Sequence, residues 1–176
     1  MYKIEATLTG KSPLRHNKFI INKGGTSKKK SEQELISEAM ERSYYDKDKG
    51  FYIPKHALKR VICNGGKKVK IGRGSASIVL FAIMIMDEDR YYIGSHDYKI
   101  YEEPVRIPPK TGARIMKMFV INPEWRIKFS ATVLDDVVPA DAIKESLQFG
   151  GLYNGLLDGR PEYGRFELTE FKKMML

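Results

Sequence analysis

The segment FYIPKHALKRVI, residues 51–62, decides the fold. Residues 51–53 are aromatic or β-branched, which predicts a short strand. Pro54 follows, and proline is favoured at the first helical position, where no backbone N–H donor is needed. We expect the helix to stop at residues 64–66, Asn-Gly-Gly. The apolar residues beyond the proline recur at helical spacing, at Ala57, Leu58, Val61 and Ile62.

Residues 2–9 predict a second strand, because apolar and polar side chains alternate along them. Residues 78–86 form the longest apolar run of the sequence, which is too short to span a bilayer and is typical of a buried strand. A last strand is expected around Phe166 and Leu168. The apolar run belongs to a predicted strand at residues 77–86. Further strands are predicted at residues 91–93, 98–107, 114–121 and 125–134.

Two further helices are predicted from their start signals. Ser31 and Glu34 fit a capping box, which starts a helix that runs to about Ser43. Pro139 opens a helix that ends near Phe149. The small residues Ala142, Ser146 and Gly150 share one face of that helix, which suits close packing against a sheet.

Together these elements predict a single α+β domain over residues 1–176. The order of strands and helices is that of the ferredoxin-like (RRM-like) β-α-β-β-α-β fold, an antiparallel sheet with two core helices on one face. Two insertions interrupt this pattern, at residues 11–50 and around residues 87–112.

The charge of the chain is unevenly distributed. The net charge is +9 and the isoelectric point is about 9.5. Residues 11–73 contain 17 Lys or Arg against 6 Asp or Glu, so the entire cationic excess lies there. Such an excess favours a polyanionic partner, with nucleic acid ahead of an anionic membrane surface.

Several other functions have little support in the sequence. Cys63 is the single cysteine, which excludes an internal disulfide and a cysteine-based zinc site. No Walker loop, Ser-His-Asp order or His-Glu-x-x-His motif is present, so no cofactor and no metal are expected. Residues 87–89 are acidic and are expected to form a solvated turn. The sequence begins without an apolar signal, so we expect a soluble, cytoplasmic protein that does not bind membranes.

The cations suggest where nucleic acid would bind. The predicted helix after Pro54 offers a phosphate its N-terminal N–H groups and its dipole, although an ordinary amphipathic helix with a solvated basic face also explains its charges. The candidate nucleic-acid-binding residues are Arg15, Lys28, Lys29, Lys30, Lys55, Lys59, Arg60, Lys67, Lys68, Lys70, Arg73, Arg160 and Arg165.

Residues 150–164 form a glycine-rich segment that contributes a second candidate surface. Glycine lets a backbone approach a ligand closely or adopt positive φ, and Tyr153 or Tyr163 offers a ring for stacking on bases. A helix cap followed by tight turns explains the same composition. The glycines are Gly150, Gly151, Gly155, Gly159 and Gly164.

Aromatic residues elsewhere have two interpretations. Trp125 stands before alternating polar and apolar residues and fits either the core or a stacking surface. Four further tyrosines suit an oligomer interface or base contacts, namely Tyr91, Tyr92, Tyr98 and Tyr101.

Three short motifs resemble those of the RAMP superfamily, the ferredoxin-like RNA-binding subunits of CRISPR effector complexes. Residues 53–59, Ile-Pro-x-x-x-Leu-Lys, are similar to the family's Ile-Pro-Gly-Ser-Ser-Leu-Lys-Gly-x-x-Arg segment, with Lys55 and Arg60 in place of its two flanking glycines. Residues 12–14 resemble its N-terminal turn, and residues 164–166 the end of its glycine-rich loop. The resemblance spans most of the chain.

This resemblance implies a protein that binds single-stranded RNA or DNA as a homo-oligomer or as a subunit of a nucleoprotein complex. The insertion at residues 11–50 would act like the family's thumb. A free-standing or virus-encoded relative, serving antiviral defence or counter-defence, is equally compatible. Two alternatives stay open: a protein that joins or blocks a nucleoprotein complex, and a metal-independent endoribonuclease in which His16 acts with Tyr44 or Tyr45.

Overall fold

The computed structural model describes residues 1–21, 31–106, 113–121 and 124–176. Its helices are α1 Glu32–Glu41, α2 Lys55–Gly66, α3 Ala76–Ile83 and α4 Ala140–Phe149, and a π-helix, Gly150–Asn154, continues α4. Its strands are β1 Tyr2–Gly10, β2 Leu14–His16, β3 Tyr45–Asp46, β4 Gly50–Pro54, β5 Lys70–Ile71, β6 Gly74–Ser75, β7 Met84–Met86, β8 Arg90–Tyr92, β9 Lys99–Arg106, β10 Ala113–Ile121, β11 Arg126–Val133 and β12 Phe166–Met175.

The main sheet has the strand order β12-β1-β11-β7, and every neighbouring pair is antiparallel. Helix α2 lies between β1 and β7 in the chain, and α4 lies between β11 and β12. This order and connectivity are those of the ferredoxin-like fold, so the predicted fold class is confirmed.

The alternation predicted for residues 2–9 places one face of β1 in the core. Tyr2, Ile4, Ala6 and Leu8 are all buried. They belong to one apolar cluster with Leu58 and Ile62 of α2 and with Ile143 and Leu147 of α4. Burial of this shared face supplies most of the driving force that holds the two helices on the sheet.

Helices α2 and α4 approach each other very closely. A Cβ on Gly65 would overlap the carbonyl oxygen of Ser146, and a Cβ on Gly150 would lie 2.7 Å from the carbonyl oxygen of Val61. One expectation is therefore corrected, because the small face of α4 packs against α2 rather than against a sheet. Helix α2 ends at Gly66, within the predicted stop at residues 64–66, and glycine at position 65 is what this contact requires.

The start signals of the helices are largely as predicted. The hydroxyl of Ser31 accepts a hydrogen bond from the N–H of Glu34 at 3.3 Å, and the Glu34 carboxylate accepts one from the N–H of Ser31 at 2.6 Å. This is the expected capping box. Pro54, however, is the N-cap residue of α2 rather than its first helical residue.

The apolar run at residues 77–86 is not one strand, which corrects that prediction. Its first part is helix α3, and only Met84–Met86 forms a strand. A run that is apolar on all sides has no period that separates a helix from a buried strand. The helix buries Ala76 and Leu80, one turn apart, and leaves Ile78 and Phe81 79% and 68% exposed.

Smaller sheets flank the main one. Strands β2, β10 and β9 form one of them, and β3, β4 and β8 form another. The strands predicted at 91–93, 98–107, 114–121 and 125–134 are confirmed to within two residues at each end as β8, β9, β10 and β11. The second insertion extends past its predicted end at residue 112, because β10 pairs with β9 and β2 and lies outside the main sheet.

None of the helices in the described ranges is long and apolar enough to cross a membrane.

The close contact between α2 and α4 makes a testable prediction. We expect Gly65→Ala to destabilise the fold by about 2 kcal/mol or more, because overpacking outweighs the gain in helix propensity. Gly74→Ala is the matched control, since the nearest atom to its Cβ would be 3.9 Å away, and we expect it to be nearly neutral. Urea unfolding measures both free energies. Equal stability of the two variants would contradict the close contact.

Candidate nucleic-acid interface

A groove runs between helix α2 and the segment 155–161, and we call it the α2 groove. It consists of two adjoining clefts that share Asp158 and Arg160. The wide cleft has a volume of about 510 Å³ and the narrow cleft about 150 Å³. Asn64, Tyr153, Asn154 and Pro161 line the wide cleft, and Tyr44, His56 and Arg60 line the narrow one.

One stripe of α2 faces this groove. His56, Arg60 and Asn64 follow each other at intervals of four residues, so they lie on one side of the helix. The basic residues predicted beside them point elsewhere. Lys55 pairs with the Asp89 carboxylate at 2.5 Å, and the Lys59 ammonium lies 4.9 Å from the centre of the Phe81 ring.

The opposite wall is a loop held to the N-terminal region by backbone hydrogen bonds. The N–H of Asp158 donates to the carbonyl of Arg15 at 3.1 Å, and the N–H of Gly164 donates to the carbonyl of Pro13 at 2.8 Å. Gly155 and Gly164 have φ of +73° and +76°, which favour glycine, and a Cβ on Gly164 would also overlap the backbone of Leu156.

Arg15 fastens this loop through its side chain as well. Its Nε and Nη2 lie 3.1 and 3.0 Å from Oδ2 of Asp158, and its guanidinium lies 4.9 Å from the centre of the Tyr163 ring. A Cβ on Gly159 would reach the same guanidinium at 2.8 Å. Arg15 therefore orders the wall of the groove, and its charge is partly compensated by Asp158.

Arg60 and Arg160 are the cations that the groove presents. Both side chains are exposed, and neither forms an ion pair with any residue that the structure describes. Both line the narrow cleft, and Arg160 also lines the wide one. Arg165, at the end of the loop, is exposed, and its backbone N–H donates to the hydroxyl of Ser12.

The remaining predicted cations follow α2 in the chain or lie beyond the described ranges. Lys68 follows the C-terminal end of α2, with its ammonium 4.5 Å from the centre of the Tyr153 ring at the wide cleft. Lys67, Lys70 and Arg73 are exposed in and around the hairpin of β5 and β6. Lys28, Lys29 and Lys30 lie outside the described residues.

Two of the predicted loop glycines serve the helices instead. Gly150 and Gly151 belong to the π-helix and are buried. A Cβ on Gly151 would overlap the backbone of Phe166. The loop that lines the groove therefore begins at Gly155 rather than at residue 150, because the first glycines are needed for close packing.

His16 does not fit the catalytic role proposed for it. Its ring is 1% exposed and lies beside Phe51, with 5.3 Å between ring centres. Its Nδ1 accepts a hydrogen bond from the backbone N–H of Tyr44 at 3.1 Å. Burial lowers the pKa of His16 to about 3, so the ring is neutral at physiological pH.

His56 is the histidine that lines the groove, and sequence reasoning gave it no catalytic role. Its ring centre lies 6.4 Å from that of Tyr44. Burial and the nearby Tyr52 raise the pKa of Tyr44, while Arg60 acts in the opposite direction. The signal that could have identified His56 is its four-residue spacing from Arg60.

Trp125 belongs to the core. It is 4% exposed, its indole N–H donates to the carbonyl of Ser12 at 2.9 Å, and a Cβ on Gly10 would overlap its ring. Tyr91 is also buried, and its hydroxyl donates to the carbonyl of Ser130 at 3.0 Å. Neither ring offers a surface for stacking on bases.

The acidic turn at residues 87–89 is used within the fold. Asp87 accepts hydrogen bonds from Ser130 and Thr132 and pairs with Lys3 at 2.9 Å. Burial by itself raises the pKa of Asp87. The hydrogen bonds from Ser130, Lys3 and Thr132 together outweigh this effect and lower the pKa below its usual value. The described residues contain no group of three or more side chains suited to hold a metal ion.

Comparison with solved structures finds a similar fold in another protein. One chain of a structure described as "Cryo-EM structure of the Type III-B Cmr-beta bound to cognate target RNA" superimposes with a TM-score of 0.63 and 16% identity. The match covers 99% of this chain and 61% of that chain, so this chain spans less than two thirds of its length. No protein-family model and no curated protein matches the sequence.

The burial of His16 predicts a pH dependence of stability. Its folded pKa of about 3 lies below its usual 6.5, so the unfolded chain takes up a proton between these values and the folded chain does not. The stabilisation is complete above pH 6.5 and is lost as the pH falls toward 3, by at most about 1.4 kcal/mol per pH unit.

His16→Asn is the matched control, because the amide oxygen retains an acceptor for the N–H of Tyr44 and does not titrate. We expect the free energy of unfolding to fall more steeply below pH 6.5 in the wild type than in this variant, measured by urea unfolding. Parallel pH profiles would show that the ring is not shielded from protons.

Proposed function

We propose that this chain binds single-stranded RNA along the α2 groove, as a subunit of a nucleoprotein complex related to type III CRISPR effectors. The observation that carries the proposal is the pair of exposed arginines, Arg60 and Arg160, on facing walls of one groove. The similarity to a chain of a complex described as bound to target RNA gives this groove its expected ligand.

The groove suits a phosphate backbone because its cations come from two different elements. A guanidinium from α2 and one from the loop can contact successive phosphates, and arginine binds phosphate through two parallel N–H groups. Lys68 extends the positive surface beyond the wide cleft. Ordered walls lower the entropy lost on binding, and hydrogen bonds to Pro13 and Arg15 order the loop.

Membership of the RAMP superfamily is part of this proposal. The three motifs that suggested it lie together, since residues 12–14 bond to the loop end at Gly164 and Arg165, and residues 53–59 lead into α2 beside that loop. In such a complex several copies would lie side by side along one strand, and the cytoplasm is the expected location.

A metal-independent endoribonuclease is the second candidate, and one observation favours it. His56, Tyr44 and Arg60 line the same narrow cleft. Attack by a ribose 2′-hydroxyl requires a base, an acid and a cation near the phosphate, and these three side chains supply such groups.

The binding proposal is tested by removing both groove arginines. We expect the double variant Arg60→Ala, Arg160→Ala to bind single-stranded RNA about tenfold or more weakly than the wild type. The slope of log affinity against log salt should become shallower by about 1.4, the loss of two phosphate contacts on a single strand. Fluorescence anisotropy with a labelled oligonucleotide of about 12 nucleotides measures both quantities.

Lys144→Ala is the control, because this exposed lysine of α4 does not line the groove. We expect it to leave both affinity and slope close to the wild-type values. An equal effect of the control and the double variant would refute the groove as the binding site.

The nuclease candidate is tested by incubation of RNA with the protein in the presence of a chelator. We expect any specific cleavage to be lost in His56→Ala and retained in His16→Asn. Gel analysis of the RNA products measures the cleavage. The absence of specific cleavage by the wild type would eliminate the nuclease candidate and leave the binding proposal intact.

A further inference from the structure

The wide cleft contains hydrogen-bonding groups that the fold itself does not use. Asn64 and Asn154 are both half-buried and line the cleft from α2 and from the π-helix. Neither side-chain amide has a hydrogen-bond partner among the residues that the structure describes. Both amides are accessible from the cleft, so their donors and acceptors are available to a ligand there.

Asp158 adds an acceptor with a fixed orientation. Its Oδ2 is engaged by Nε and Nη2 of Arg15, while its Oδ1 makes no hydrogen bond within the described ranges. The side chain is 34% exposed and lines both clefts. A carboxylate oxygen is a hydrogen-bond acceptor, so Oδ1 suits a donor group of a ligand.

The cleft also has flat walls and a suitable size. Tyr153 and Pro161 line it, and the Tyr153 ring is held by Phe149, whose ring centre lies 6.0 Å away at an interplanar angle of 23°. The volume of about 510 Å³ falls within the range of small-molecule sites. Arg160 lines both clefts, so a phosphate bound by Arg160 would leave an adjacent base within reach of the wide cleft.

We infer that the wide cleft is a nucleobase pocket that selects bases with an exocyclic amino group, which donates to Oδ1 of Asp158 while Asn64 and Asn154 pair with the remaining base edge. The inference rests on the proposed RNA binding. A carboxylate accepts from the N4 amino group of cytosine, and asparagine pairs with adenine through two hydrogen bonds. Uracil has a carbonyl at position 4, which would face the carboxylate as a second acceptor.

Oligomers of cytidine and uridine provide the sharpest probe, because the two bases differ in their amino or carbonyl group at position 4 and both stack weakly. We expect the wild type to bind oligocytidine of about 12 nucleotides about fivefold or more tightly than oligouridine of the same length. Fluorescence anisotropy at one fixed salt concentration measures the ratio.

Asp158→Asn should reverse or abolish this preference. Arg15 would hold the amide oxygen in the place of Oδ2, which leaves the NH₂ group in the place of Oδ1, where it donates to the uracil carbonyl. Glu162→Gln is the matched control, since it removes the same charge from an exposed position of the same loop, and it should keep the cytidine preference. Should Asp158→Asn fail to fold, as judged by circular dichroism, the wild type is instead given an oligomer of N4,N4-dimethylcytidine, which has no N4–H donor and should bind about as weakly as oligouridine.

The outcomes separate the inference from the proposed function. Equal affinity of the wild type for the two oligomers overturns the nucleobase pocket and leaves RNA binding in place. A cytidine preference that survives in the Asp158 variant, or equal binding of the cytidine and dimethylcytidine oligomers by the wild type, also overturns it. Failure of the wild type to bind either oligomer overturns the proposed function, and the pocket with it.

Discussion

The contact between Gly65 of α2 and Ser146 of α4 is the constraint on which the rest of the structure depends. Any side chain at position 65 would overlap the facing backbone, so this contact fixes the separation of the two helices. Gly150 then meets Val61 one turn farther along, and the π-helix carries the chain over the C-terminal half of α2. The glycine-rich loop therefore begins beside Asn64. The α2 groove starts at this point, next to the contact between the two helices.

The loop is ordered by its connection to the other end of the chain. Pro13 and Arg15 follow β1, Gly164 precedes β12, and these two strands are neighbours in the main sheet. Pairing of β1 with β12 thus brings the two segments together before any side chain contributes. Arg15 and Asp158 complete the connection, which explains why one cation predicted to bind nucleic acid instead stabilises the wall of the site.

The parts of this structure that could be predicted are those set by local pattern. Alternation identified β1, and the capping box at Ser31 identified α1. Helix α3 was missed because a uniformly apolar run has no informative period. Charge selected Arg60 and Arg160 as candidates, and both line the groove, but the neighbours of Lys55, Lys59 and Arg15 depend on tertiary contacts that composition does not encode.

Several charges on the open face of the main sheet are paired with each other, and the proposed binding surface lies on the other side of the sheet. On the open face of the main sheet, Lys3 pairs with Asp87, Lys128 pairs with Glu5, and Thr7 donates to Glu170. Polar side chains that are paired with each other offer no stacking surface and little net charge to a polyanion. The helical side presents Arg60 and Arg160, and neither forms an ion pair within the described part of the chain, so both are available to a strand bound as proposed. In the proposed mode of binding, the ferredoxin-like sheet serves as a scaffold, and the helix and loop that it positions form the binding surface.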